Sequence, residues 1–184
     1  YASVGFARPA GTPILAIKKA PLSAFLARNP FPNGWTDGLF YREKMRAIHP
    51  RDIDATEGAK RATTDYAVLD ALGSRAAWVA LVPVTGRTHQ LRAHMAELGH
   101  PIIGDGKYGG SGQENLGEGW GAQLGGEISR KLHLHARSLS FDHPITGKRI
   151  TLTAPLPEHM ARTWATLGWR EGDVPEDPFR DDDA

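Results

Sequence analysis

The stretch from Thr85 to Gly110, TGRTHQLRAHMAELGHPIIGDGKYGG, gathers the side chains best able to do chemistry. Arg87 and Arg92 lie around the start of a short helical pattern, with His89 between them. Two guanidiniums near a helix N-terminus make a local positive field that suits a phosphate or a carboxylate. The same arginines could equally pair with surface carboxylates, at little gain in stability. Around a helical axis His89 and Arg92 stand roughly 60° apart, within mutual reach. Further on, Gly104-Asp105-Gly106-Lys107-Tyr108-Gly109-Gly110 is glycine-rich, but it lacks the residue order of a phosphate-binding P-loop and precedes no predicted helix. A tight turn that sets Asp105 against a backbone amide or an arginine is the favoured reading.

Six of the eight histidines fall between His89 and His143, which raises the question of a metal centre. His133 and His135, at i and i+2 on a predicted strand, could face one ion. His89 and His94 would stand about 140° apart on a helix and could not ligate together. No third ligand has matching spacing, so structural histidines are preferred to a histidine-ligated metallohydrolase, and no metal site is expected.

Periodicity indicates the elements that must position these residues. Leu91, Met95 and Leu98 share one face of a helix predicted over 88–98, with Thr88 as N-cap and Gly99 as the left-handed residue after its end. Before it, Tyr66 to Leu69 and Ala77 to Val84 read as a hairpin turning at Leu72-Gly73-Ser74-Arg75. Residues 1 to 56 carry too many prolines and glycines for a long helix, but Ile14 to Ile17 and Phe40 to Ile48 could be short strands. Residues 109 to 126 hold eight glycines in eighteen positions and read as a mobile loop. Leu132 to Phe141 and Arg149 to Leu152 read as strands joined by the turn His143-Pro144-Ile145-Thr146-Gly147, and Pro157 to Leu167 as an amphipathic helix. The expected fold class is α+β: one domain with a mainly antiparallel, mixed sheet and short helices.

Composition sets the outer bounds. With 184 residues, 40% apolar and 23% charged, the chain suits one globular domain and carries no run long enough to span a membrane. The absence of cysteine excludes disulfides, thiolate metal sites and a cysteine nucleophile. No signal-peptide pattern stands at the amino end, so a cytoplasmic location is expected, without a membrane partner. Residues 170–184 hold seven acidic and two basic groups, an acidic tail expected to be disordered, which leaves residues 1–169 net basic. A basic body is compatible with a polyanionic partner. The first residue is Tyr1 rather than methionine, so the chain is expected to lack its natural start.

The segment GRTHQLRAHMAELGHPIIGDGKYGG resembles the carboxyl-terminal core motif of the RluA/RluC/RluD family of RNA pseudouridine synthases. Lys60 to Tyr66 is similar to that family's strand before the hairpin, Lys131 to Ala136 to its Leu-His-Ala strand, and His143 to Gly147 to its hairpin turn. Ala154 to Pro157 resembles its closing segment, and the resemblance is taken to imply an RluC-type member. The resemblance implies a pseudouridine synthase fold, incomplete here, and isomerisation of uridine in structured RNA without metal or organic cofactor. Large-subunit ribosomal RNA is the expected substrate, with transfer RNA as an alternative. It makes Arg92 a candidate catalytic residue, set against an aspartate, and Tyr1 a candidate for stacking on the base. With RNA as partner, Arg87, His89 and Lys107 are the expected RNA contacts. The family's His-Arg-Leu-Asp motif is absent from the chain. Residues 1–169 are therefore expected to be the carboxyl-terminal part of a catalytic domain, inactive alone, whose partner is the missing amino-terminal part of the same enzyme. The competing expectation is a non-catalytic RNA-binding module. In a full-length enzyme, Arg92→Ala is expected to stop turnover at nearly unchanged melting temperature, and Asp105→Ala to lose stability first.

Overall fold

A computed structural model describes residues 2–7, 19–29, 44–48, 52, 55, 59–73, 75–109, 128–174 and 178–179. Tyr1, the Ile14 to Ile17 segment, residues 40–43, most of the glycine-rich stretch and residues 175–177 and 180–184 lie outside that set. Six strands form one sheet: β1 (Ala2–Ala7), β2 (Lys19–Asn29), β3 (Lys44–Ile48), β4 (Lys60–Leu72), β5 (Ala76–Pro83) and β6 (Leu134–Ala136). Their order is β3-β2-β4-β5-β1-β6, and every recorded pairing between neighbours is antiparallel. A second, two-stranded sheet holds β7 (Ser138–Asp142) and β8 (Arg149–Thr153). Two helices complete the described elements, α1 (Gln90–Glu97) and α2 (Glu158–Leu167), followed by a 3-10 turn over Glu171–Asp173.

The β4–β5 hairpin turns where the sequence predicts. Gly73 takes φ +51°, a conformation glycine adopts without steric cost, and the Arg75 N–H donates to the Leu72 carbonyl at 3.0 Å. Strand β5 is buried on both faces, which explains its unbroken apolar run. Ala76 and Trp78 pack with Met160, Trp164, Leu167 and Trp169 around α2, while Val79 and Leu81 pack with Tyr66, Met95 and Ile102 beneath α1. Alternation along the strand thus sends successive side chains into two cores. Trp78, Trp164 and Trp169 meet edge-on or tilted, with ring centroids 5.1–6.2 Å apart, and large aromatics of this kind dominate core energetics.

After α1 the chain crosses between these cores. Ile102 enters the α1 cluster and Ile103 the α2 cluster, both fully buried. The Ile103 carbonyl accepts the His133 N–H at 2.8 Å. Gly104, at φ +76°, passes so close to the neighbouring backbone that a Cβ there would stand 2.0 Å from the Lys131 carbonyl oxygen. Residues 102–104 therefore seat the following turn against residues 130–133.

Several expectations are amended. Helix α1 begins at Gln90 rather than Thr88. Leu132 to Phe141 is two strands in two sheets instead of one, because the chain changes partner at Arg137, whose carbonyl accepts from the Ala154 N–H at 2.8 Å. Strands β1 and β2 occupy a region whose punctuation suggested irregularity. Pro21 is tolerated in β2 because residues 19–24 pair only with β4, and β3 begins its pairing at Phe25. The first residues of the acidic tail are held to the fold: Val174 packs against the α2 core, and Glu171 pairs with Arg137 at 2.6 Å.

Candidate functional site

The start of α1 is capped in an unexpected way. No side chain caps it from the N-cap position, which is held by His89 at φ +50°, the one non-glycine residue with positive φ among those described. Such a conformation is costly for a histidine and persists only when its surroundings impose it. Gln90 does so. Its Oε1 accepts from the Arg87 N–H at 3.0 Å and the Thr85 hydroxyl at 2.7 Å. Its Nε2 donates to the Thr63 carbonyl at 2.8 Å and to Thr64 Oγ1 at 2.9 Å. All four hydrogen-bonding positions of this buried amide are used, and they fasten the first turn of α1 to β4. Thr64 Oγ1, accepting from Gln90, is also hydrogen-bonded to His94 Nδ1 at 2.9 Å. Burial pushes the His94 pKa down to about 4, so the ring is neutral at physiological pH.

One face of α1 then presents Arg92 to the turn that follows Gly104. Arg92 Nε donates to Asp105 Oδ2 at 2.8 Å and Nη2 to Oδ1 at 2.7 Å, a bidentate pair. The Asp105 side chain has no solvent exposure, and Oδ1 also accepts from the backbone N–H groups of Lys107 at 3.1 Å and Tyr108 at 3.0 Å. Four donors on one carboxylate make an environment in which the charge is satisfied although buried. The hydrogen bond donated to Asp105 raises the Arg92 pKa, so this cation does not titrate. Its guanidinium carbon lies 5.1 Å from the centroid of the Tyr108 ring. The Tyr108 hydroxyl in turn meets His89 Nδ1 at 3.2 Å, their rings edge-on at 5.8 Å.

The expected site residues are partly gathered. Arg92, His89 and the Lys107 turn meet around Asp105 and Tyr108. Arg87 is exposed and anchored elsewhere, its Nε donating to the Arg61 carbonyl on β4 at 3.2 Å. The two guanidiniums are thus held by different elements, and Arg92 pairs with a buried aspartate rather than a surface carboxylate. Tyr1 lies outside the described residues. Asp105 takes the turn role expected of it, against backbone amides and an arginine; which arginine was not legible, because thirteen residues separate Asp105 from Arg92, a distance that spacing rules do not read. Gln90 and Tyr108 were missed, although Gln90 and His94, polar residues one turn apart beside the apolar face of the helix, were a signal for Gln90.

The histidine pair on the strand resolves into separate roles. His133 is fully buried, with Nδ1 on the Lys131 carbonyl at 2.7 Å, Nε2 on Thr163 Oγ1 at 2.8 Å, and its ring stacked on Trp164. Burial lowers its pKa to about 4. His135 approaches the Ala154 carbonyl at 3.4 Å instead. Among the described residues no group of three or more histidines and carboxylates is placed to hold a metal ion.

A family model described as RNA pseudouridylate synthase matches residues 33–97, a stretch that includes Arg87, His89 and Arg92. The dual-specificity RNA pseudouridine synthase RluA of Haemophilus influenzae is 44% identical over 95 residues, covering 52% of this chain and 38% of the relative. The ribosomal large subunit pseudouridine synthase D of Xylella fastidiosa is 37% identical over 124 residues, covering 65% and 37%. The chain spans 36 to 40% of the length of these and similar curated relatives. Among solved structures, human RNA pseudouridylate synthase domain containing 4 aligns with a TM-score of 0.62 at 26% identity, over 91% of this chain and 61% of that one. The α+β arrangement of antiparallel sheets and short helices is shared with it.

Proposed function

Because the chain belongs to the RluA-type family of RNA pseudouridine synthases, we propose that it forms the arginine-bearing part of a centre that isomerises uridine to pseudouridine in structured RNA. The reaction breaks the bond from N1 of uracil to the ribose C1′ and joins C1′ to C5. The proton on C5 is lost and N1 gains one, so the product is an isomer. The target base has to leave its stack before either atom can be reached. The observation that carries this reading is the ionised, oriented Arg92, displayed on a short helix within the stretch that matches the family model. Arg92 would hold an attacking carboxylate or a phosphate of the flipped nucleotide, and Tyr1 would stack on the base. Arg87, His89 and Lys107 would contact the RNA backbone.

The chain has no His-Arg-Leu-Asp segment, and Asp105 is wrapped by four donors, which suits an anchor better than an attacking group. The acidic half of the centre would then come from sequence outside residues 1–184, in the amino-terminal part of the same enzyme. Large-subunit ribosomal RNA is the substrate we propose, with an RluC-type specificity; transfer RNA is the alternative, a substrate named in a relative from Haemophilus ducreyi. Among the described residues no helix is long and apolar enough to cross a membrane, and a cytoplasmic enzyme fits this proposal. The test is to quantify pseudouridine in ribosomal RNA incubated with this chain alone, and with the chain fused to the amino-terminal half of a relative. Turnover is expected from the fusion only. Turnover by the chain alone would overthrow the divided centre, and a folded but inactive fusion that still binds RNA would favour the non-catalytic binding module.

A further inference from the structure

Arg92 offers two edges, and only one of them is used. The Nε and Nη2 edge is closed by both oxygens of Asp105, while Nη1 has no hydrogen-bond partner among the described residues. The guanidinium carbon lies over the Tyr108 ring, and the side chain retains 19% of its exposure. A guanidinium pinned along one edge and backed by a ring cannot swing freely, so its remaining edge has a fixed direction. We infer that Asp105 is a positioning residue, whose bidentate grip presents the Nη1 edge of Arg92 to an anionic oxygen from outside the chain. The ligand chemistry is an oxyanion, either a phosphate of RNA or a carboxylate, and the inference rests on the proposed function only for the choice of RNA. The turn is built for this grip. Gly104 is pressed against the Lys131 carbonyl, and the Lys107 and Tyr108 amides hold the carboxylate at Oδ1, the oxygen that also accepts from Arg92 Nη2. Asp105 thus gains its orientation from the backbone and passes it to Arg92.

Guanidinium-edited NMR of the 184-residue chain, titrated with inorganic phosphate and separately with acetate, reads this directly. Nη1 of Arg92 should shift with added oxyanion while Nε and Nη2 stay in place, since they are held by Asp105. In Asp105→Asn the separate nitrogen signals should merge through free rotation, and the selective shift should vanish. A response centred on Nε, no response at all, or an unchanged selective response in Asp105→Asn would overturn the inference. Affinity for a uridine-containing stem-loop RNA provides the second arm. Loss of a negative charge should tighten binding to a polyanion if bulk electrostatics governed, whereas loss of positioning should weaken it about tenfold in the folded variant. Tighter or equal binding would count against positioning. Should Asp105→Asn fail to fold, Arg92→Lys replaces it. Its ammonium keeps a charge for Asp105 but has no second edge, so RNA affinity should again fall about tenfold, and unchanged affinity would refute the inference. If the phosphate response is present but no RNA binds, the positioning role stands and the RNA reading falls.

Discussion

At the scale of single residues, the Arg92–Asp105 pair changes what a substitution should do. Arg92→Ala would leave a carboxylate without solvent exposure and with only backbone donors. Removing one partner of a buried pair costs about 3–5 kcal/mol. The expectation of an unchanged melting temperature is therefore corrected: urea unfolding of Arg92→Ala should show a loss toward the lower end of that range, because the arginine itself is partly exposed. A midpoint equal to that of the parent chain would contradict the buried pair. Gly104→Ala is the steric counterpart. Its methyl would stand 2.0 Å from a backbone oxygen at a φ of +76°, so overlap and left-handed strain act together. A loss of about 3 kcal/mol or more is expected, with the turn around Asp105 displaced. Gln90→Ala strips four hydrogen bonds from the start of α1 and takes away the acceptor of the Thr85 hydroxyl and of the Arg87 N–H. Unsatisfied buried groups cost about 1–3 kcal/mol each, and the same denaturation measurement should report a loss of at least that size. Gln90→Glu cannot donate to Thr63 or Thr64 and should not restore stability.

At the scale of elements, what could be read from the sequence depended on whether the signal was local. The hairpin turn at Gly73, the face of Leu91, Met95 and Leu98, and the end of α2 at Gly168 are set by residues near one another in sequence, and all three were legible. Strand β2 was not, because its stability comes from pairing with β4 about forty residues away, which overrides a proline such as Pro21. The break at Arg137 was hidden for a similar reason, since the Ala154 backbone that receives the strand is distant in sequence. In the site, local chemistry announced the Asp105 turn, while its pairing with Arg92 and the packing of Tyr108 required the fold. The β7–β8 hairpin shows the converse. Its polar face is tied by Ser140 to Thr151 and Asp142 to Arg149, whereas Leu139 and Leu152, paired across the strands, remain 60% and 55% exposed. Side chains left in water contribute little to folding. Leu139→Thr should shift the unfolding free energy by less than about 0.5 kcal/mol while keeping β-propensity, and a loss several times larger would mean that this face is covered in the folded chain.

At the scale of the whole molecule, both cores depend on a neutral histidine, and that dependence gives the fold an acid limit. His94 joins α1 to β4 through Thr64, and His133 joins the 131–133 backbone to α2 through Thr163. Burial is the leading cause in each case, and it holds both near a pKa of about 4 in the folded chain against about 6.5 when unfolded. The unfolded chain therefore binds more protons between those values, so stability is complete above pH 6.5 and falls as the pH drops toward 4. Each histidine would remove about 3 kcal/mol across that window, an appreciable part of the roughly 5–15 kcal/mol that holds a domain together. Carboxylates add their own acid sensitivity at lower pH, so the diagnostic interval is pH 6.5 to 5. Urea unfolding across it should lose stability with a slope approaching two protons per molecule. His94→Asn, which keeps a hydrogen-bonding atom near the Nδ1 position for Thr64, should bring the slope toward one proton. A flat stability between pH 6.5 and 5, or a slope unaltered by His94→Asn, would show that these rings accept protons without opening the cores. The interlocking of β5 with both helices would then have to be held by its apolar contacts alone.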